Sequence, residues 1–92
     1  MGFQQYHEPA NELSQETRTF ARMIASLIEE ADAINWYEQR LSVEKDSDAK
    51  AIMADAQGEE FKHFGMDLNF CCGASRSGRG YCERSLCCAK SL

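Results

Sequence analysis

Three residues of this 92-residue chain, Glu30, Glu60 and His63, have the types and spacing to hold transition-metal ions. Glu60 and His63 stand three apart, which on a helix puts both side chains on one face, one turn apart. Carboxylates bridge and neutralise cations, and imidazole adds a softer terminal ligand that iron accepts well. In di-iron carboxylate proteins the metals are held by a Glu from each of two helices and a Glu-x-x-His from each of two more. One copy of the chain offers one Glu and one Glu-x-x-His, half of that set. A second copy in a closed two-fold dimer would complete it. A blander role is open to the same residues: a core histidine satisfied by a neighbouring carboxylate, which sets helix register. Around them, Tyr37 lies two turns beyond Glu30, where its hydroxyl would donate to a ligand. Trp36 and Tyr37 equally suit packing. Glu29 and Glu59 face away from their neighbours, as solvated acids that would guide cations inward.

The elements that must position these residues are legible as heptads. Leu13, Phe20, Leu27, Ile34 and Leu41 recur every seven residues, with Thr17, Ile24 and Ala31 at the intervening position. This is one apolar seam on a helix over about 10–41. His7-Glu8-Pro9 precedes it, and Pro suits a first helical turn because its missing N–H is an orphan there anyway. A polar stretch follows, with Asp46, Ser47 and Asp48 as N-cap candidates. A second helix is predicted over about 49–70, its seam running Ala49, Ile52, Met53, Ala56, Glu60, His63, Phe64 and Asp67. Gly58 and Gly65 each cost it ~1 kcal/mol relative to Ala. The short connection makes the pair an antiparallel hairpin. If the hairpin turns around Glu44, Glu30 is fourteen residues before the turn and Glu60 sixteen after it, so the two reach nearly the same height.

Composition bounds the rest. A chain of this size buries only ~60% of its unfolded surface and needs a brace, from metal, disulfides or oligomerisation. Residues 1–70 carry fourteen acids against six bases, which argues against nucleic acid as a partner. No apolar run approaches the ~18 residues of a membrane span, and no signal-peptide core opens the chain, so the expectation is a soluble, cytoplasmic protein. All five cysteines, Cys71, Cys72, Cys82, Cys87 and Cys88, fall after Phe70, with three of the six glycines. Their odd number and adjacent pairs do not read as a disulfide framework, and the absence of CxxC or CxxH spacing argues against zinc. The chain therefore divides into a helical hairpin over 1–70 and an irregular tail over 71–92.

The segments HEP (7–9), LIEEADAINWYEQR (27–40) and AQGEEFKHFGMDL (56–68) closely resemble the encapsulated ferritin family, the ferritin-like proteins housed in encapsulin nanocompartments. The resemblance covers about residues 7–69, and E-E-x-x-x-x-x-W-Y followed by E-E-x-x-H is far more specific than a lone ExxH. It implies an all-α hairpin that dimerises into a ferritin-like four-helix bundle around a di-iron site, with five dimers closing into an annular decamer. It also implies a ferroxidase that oxidises Fe(II) to Fe(III) with oxygen and delivers the iron to the encapsulin shell for storage. By motif position Glu30, Glu60 and His63 match the family's iron ligands, Tyr37 the tyrosine beside them and Trp36 its neighbour. Glu29 and Asp32 match acidic positions of an outer site through which metal arrives, where Asp32 replaces the usual Glu.

The tail departs from the family, whose second helix continues in a Leu-Leu/Ile-Arg-Arg run and whose chains end in a shell-docking peptide. A reading-frame change near residue 70 would account for this: CTG CTG CGG CGC shifted by one base gives Cys-Cys-Gly-Ala, the residues at 71–74. Bringing four Glu and two His together without metal sets like charges against one another. Iron, or calcium at the outer or inter-subunit positions, is therefore expected to promote assembly. Two rival readings stay open: a non-enzymatic helical interaction module, and another di-metal half-bundle, manganese or peroxidase-like.

Overall fold

The computed structural model describes residues 6–75 and 78–80. Among these the chain is all-α. A 3-10 turn, Ala10–Glu12, leads into α1, Gln15–Val43, and α1 is followed by α2, Ser47–Ala74. The long first helix starts five residues later than the heptads imply, and the reason is local. Ser14 is the N-cap, its extended backbone turning the chain while its Oγ accepts the Thr17 N–H at 3.0 Å. The residues before it close a 3-10 turn instead, with the Leu13 N–H donating to the Ala10 carbonyl.

The turn after α1 is held by side chains. Glu44 caps α1, its N–H donating to the Arg40 carbonyl at 3.0 Å. One Glu44 carboxylate oxygen accepts the Lys45 and Asp46 N–H groups at 3.2 and 3.1 Å. Asp46 then caps α2 by accepting the Ala49 N–H at 2.9 Å, with Asp48 in the first turn near the positive end of the helix dipole. Across the hairpin, the Gln57 amide donates to the Ile34 carbonyl at 3.2 Å and to the Glu38 carboxylate at 3.0 Å. This cross-link pins the register of the two helices.

Two helices cannot enclose their own seams. Leu13, Phe20, Leu27, Ile34 and Leu41 are only half-buried, and Ile52 (71% exposed), Phe61, Met66 and Phe70 lie open. The arrangement is that of a ferritin-like half-bundle. No helix among the described residues is long and apolar enough to cross a membrane.

The second helix runs four residues past the predicted end at Phe70 and takes in the first tail residues. Cys71 and Cys72, 6% and 7% exposed, are the only buried residues among those described. Cys71 stands seven residues after Phe64, so the seam continues through it. Small, soft Cys packs there as a hydrophobe would. Cys71 is a free thiol whose burial pushes its pKa up. Cys72 takes part in a disulfide bond, although the cysteines do not read as a disulfide framework; spacing along the chain does not reveal which residues a fold brings together. Cys82, Cys87 and Cys88, and the irregular conformation expected for 81–92, lie outside the described residues.

Candidate metal centre

Glu30 reaches the site from the middle of α1, and Glu60 and His63 reach it from adjacent turns of α2. The matched height comes from the turn at 44–46 and the Gln57 cross-link. The three residues each offer a ligand atom, and those atoms lie within 4.8 Å of one another. The His63 Nδ1 is 4.0 Å from a Glu30 oxygen and 3.9 Å from a Glu60 oxygen. These gaps are too long for hydrogen bonds. Twice a ~2.0–2.2 Å bond to a divalent metal is the widest separation of two atoms that share one ion, and both gaps lie at that limit. His63 is about half exposed, whereas the Glu30 side chain is 20% exposed. The open side of the site therefore faces away from this chain's own hairpin.

The electrostatics point the same way. Glu30 Oε1 is sealed from solvent and has no hydrogen-bond donor. A buried acceptor left in this state costs about 1–3 kcal/mol, more if charged, and a cation is what the donor set would accommodate. The pKa of Glu30 is raised to about 7, first by burial, then by Asp67, whose carboxylate accepts from the protonated form and repels the ionised one, with Glu60 adding to the rise and His63 opposing it. Asp67 appeared on the predicted seam but not among the site residues. Its position four residues past His63 is the signal that could have found it.

A pH dependence follows for the metal-free protein. When unfolded, Glu30 ionises at its ordinary value near 4.5; when folded, it holds its proton to about 7. The folded form thus binds more protons between these values. Its contribution to stability is fully present below 4.5 and is lost as the pH rises through 7. In excess chelator, the melting midpoint should be higher at pH 6 than at pH 8, and a midpoint lower at pH 6 would contradict the Glu30 shift.

The remaining candidates are placed differently. The Tyr37 ring lies under the Arg40 guanidinium, 5.4 Å from centroid to Cζ, and its hydroxyl makes no hydrogen bond among the described residues. Glu29, Asp32 and Trp36 (52% exposed) form an exposed stripe on α1. The hairpin does not bring them into the cluster. Among the described residues, only Glu30, Glu60 and His63 gather as a metal-ligand group.

Comparison with known proteins bears on this geometry. The family described as EncFtn-like matches residues 5–74. A ferritin-like protein of Thermotoga maritima is 41% identical over 66 residues, 72% of this chain and 58% of that protein. An encapsulated ferritin-like protein of Rhodospirillum rubrum is 39% identical over 64 residues, 70% of this chain and 46% of that protein. The chain thus spans about half the length of the curated relatives it matches. A crystal structure of a Nitrosomonas europaea protein superposes with a TM-score of 0.79 at 37% identity, covering 88% of this chain and 89% of that one.

Proposed function

The chain belongs to the EncFtn-like family, and we propose on that basis that two copies build a ferroxidase centre that oxidises Fe(II) to Fe(III) with dioxygen. The observation that carries the reading is the convergence of Glu30, Glu60 and His63 around a sealed Glu30 oxygen that has no donor. One chain supplies half of a di-iron ligand set. The half-exposed His63 and the open apolar side chains beside it favour a second copy as the rest of the enclosure.

Iron is the substrate here, and each Fe(II) gives up one electron to dioxygen. The work of the protein is to bind and orient. Glu30 and Glu60 act as bridging or chelating carboxylates that offset the positive charge of the two cations, and His63 is a terminal ligand. Packing of the second copy shields the pair from bulk water, which strengthens the ligand electrostatics. Tyr37 would donate its hydroxyl to a ligand once the second copy is in place. The exposed stripe of Glu29, Asp32 and Trp36 is the proposed outer site through which metal arrives, with calcium as an alternative occupant there or between subunits. The relative from Rhodospirillum rubrum is described as encapsulated. By that likeness we assign an encapsulin shell as the partner that receives oxidised iron and the interior of that compartment as the location. An annular decamer of five dimers is the proposed assembly.

Iron stoichiometry tests the reading. Anaerobic titration should saturate at about one Fe(II) per chain, followed by oxidation when oxygen is admitted. No bound iron would leave the helical interaction module as the function, and turnover driven by peroxide but not oxygen would indicate a peroxidase-like half-bundle.

A further inference from the structure

Gln57 ties α2 to α1 close to the metal cluster. Its side-chain amide donates to the Ile34 carbonyl at 3.2 Å and to the Glu38 carboxylate at 3.0 Å. A glutamine amide carries two N–H groups, so each acceptor can engage one of them. The first acceptor is main chain and fixes the height of α1 whatever its side chains do. The second is a carboxylate, whose charge strengthens the bond. By contrast, the side-chain hydrogen bonds of Arg18, Arg22 and Ser42 return to their own segments. The cross-link lies one turn from the cluster on each helix: Ile34 is four residues after Glu30, and Gln57 three before Glu60.

Helix register matters most at this point of the hairpin. The His63 Nδ1 meets oxygens of Glu30 and Glu60 at 4.0 and 3.9 Å, at the limit for two atoms that share one ion. Glu60 and His63 ride on one helix and keep their spacing. Glu30 comes from the other, so its distance to His63 depends on how α1 and α2 are aligned. A slip of one residue moves a helix by ~1.5 Å, whereas metal bonds tolerate about 0.2 Å. The turn at 44–46 begins fourteen residues after Glu30, roughly 20 Å along the helix. The seam residues between them, Ile34 and Leu41, are only half-buried. We propose that Gln57, anchored on Ile34 and Glu38, is a positioning residue of the metal centre: it sets the alignment at which Glu30 and His63 reach the same ion. The inference rests on the ferroxidase reading and deepens it, since Gln57 acts through the ligands and is not one of them.

Gln57→Glu gives the Ile34 carbonyl and Glu38 an acceptor in place of a donor and sets two carboxylates against each other. It should weaken anaerobic Fe(II) binding roughly tenfold, the scale on which one hydrogen bond moves an equilibrium. The d–d absorption of Co(II), a probe of coordination geometry, should change with it. Adding Glu38→Gln puts an amide donor back across the gap, facing the new carboxylate. The double variant should recover most of the affinity and the original spectrum. Gln57→Met keeps the length of the side chain without a donor; it should weaken binding to a similar extent and stands in if Gln57→Glu does not fold. Calorimetric Fe(II) titration, Co(II) spectra and chelator-treated melts of the unaltered chain and the variants make the comparison. A lower melting midpoint with unchanged affinity and spectrum would mean that the cross-link only braces the hairpin, and would overturn the proposal. So would a double variant that binds no better than Gln57→Glu. Either result leaves the ferroxidase reading intact, whereas an unaltered chain that takes up no Fe(II) sinks both.

Discussion

Replacing His63 by Ala is expected to slow Fe(II) oxidation at least about 100-fold, and Glu60→Ala to do the same. Changing residues that merely support ligands costs 10–100-fold in metal affinity or activity, so deleting a ligand should cost no less. His63 is the only imidazole in the cluster, and within one chain it lies about 4 Å from both carboxylates. Without it, each iron in the dimer would lose its nitrogen donor and be left to oxygen ligands that hold it less firmly in water. The loss should not reflect unfolding. His63 is about half exposed, and such positions tolerate truncation to within roughly 0.5 kcal/mol when no buried partner depends on them. The check is stopped-flow absorbance of Fe(III) formation in aerated buffer, with a melt of each metal-free variant alongside. Asp55→Ala, which alters an exposed acid outside the cluster, should keep the unaltered rate. Rates in His63→Ala or Glu60→Ala equal to those of the unaltered chain would remove these residues from the site.

Metal should also drive assembly. Two copies brought together without cations face four glutamates at the shared axis, including Glu30 with its donorless oxygen, and like charges this close oppose association. A cation that binds only the dimer pulls the equilibrium toward it by mass action. At a hundred times its dissociation constant it contributes ~2.7 kcal/mol, roughly a 100-fold shift in association. The open apolar side chains of α2, among them Ile52, Phe61 and Met66, favour association in any case, and metal decides how much of it occurs at low concentration. Sedimentation or native mass measurement in chelator, in anaerobic Fe(II) and in Ca(II) reads this directly. The metal-free sample should be shifted toward single chains. Identical distributions in all three would show that assembly does not depend on the site.

Much of this was readable along the chain. The seven-residue spacing from Leu13 to Leu41 marked a long helix with one apolar face, and the acids at 46–48 marked the start of the next. Counting from the turn brought Glu30 level with Glu60. Helix periodicity carries such information because it depends on local geometry alone. Element ends were read less well. Ser14 captures the Thr17 N–H and so sets the true start of α1, while Cys71, seven residues after Phe64, extends α2 beyond the point where composition changes.

The sequence by itself determined the hairpin and the matching heights of Glu30, Glu60 and His63, since both follow from residue types at helical spacing. Only the tertiary structure decided what surrounds Glu30. Whether a carboxylate oxygen is sealed, and whether its neighbour across the groove is a donor or another acid, depends on side chains from two helices meeting at one height. His63 at 4.0 Å from Glu30 is a meeting of residues far apart in the chain, and periodicity on one helix does not report it. Three side chains that helix spacing lines up only along their own helices are brought within 4.8 Å of one another by the packing of α1 on α2.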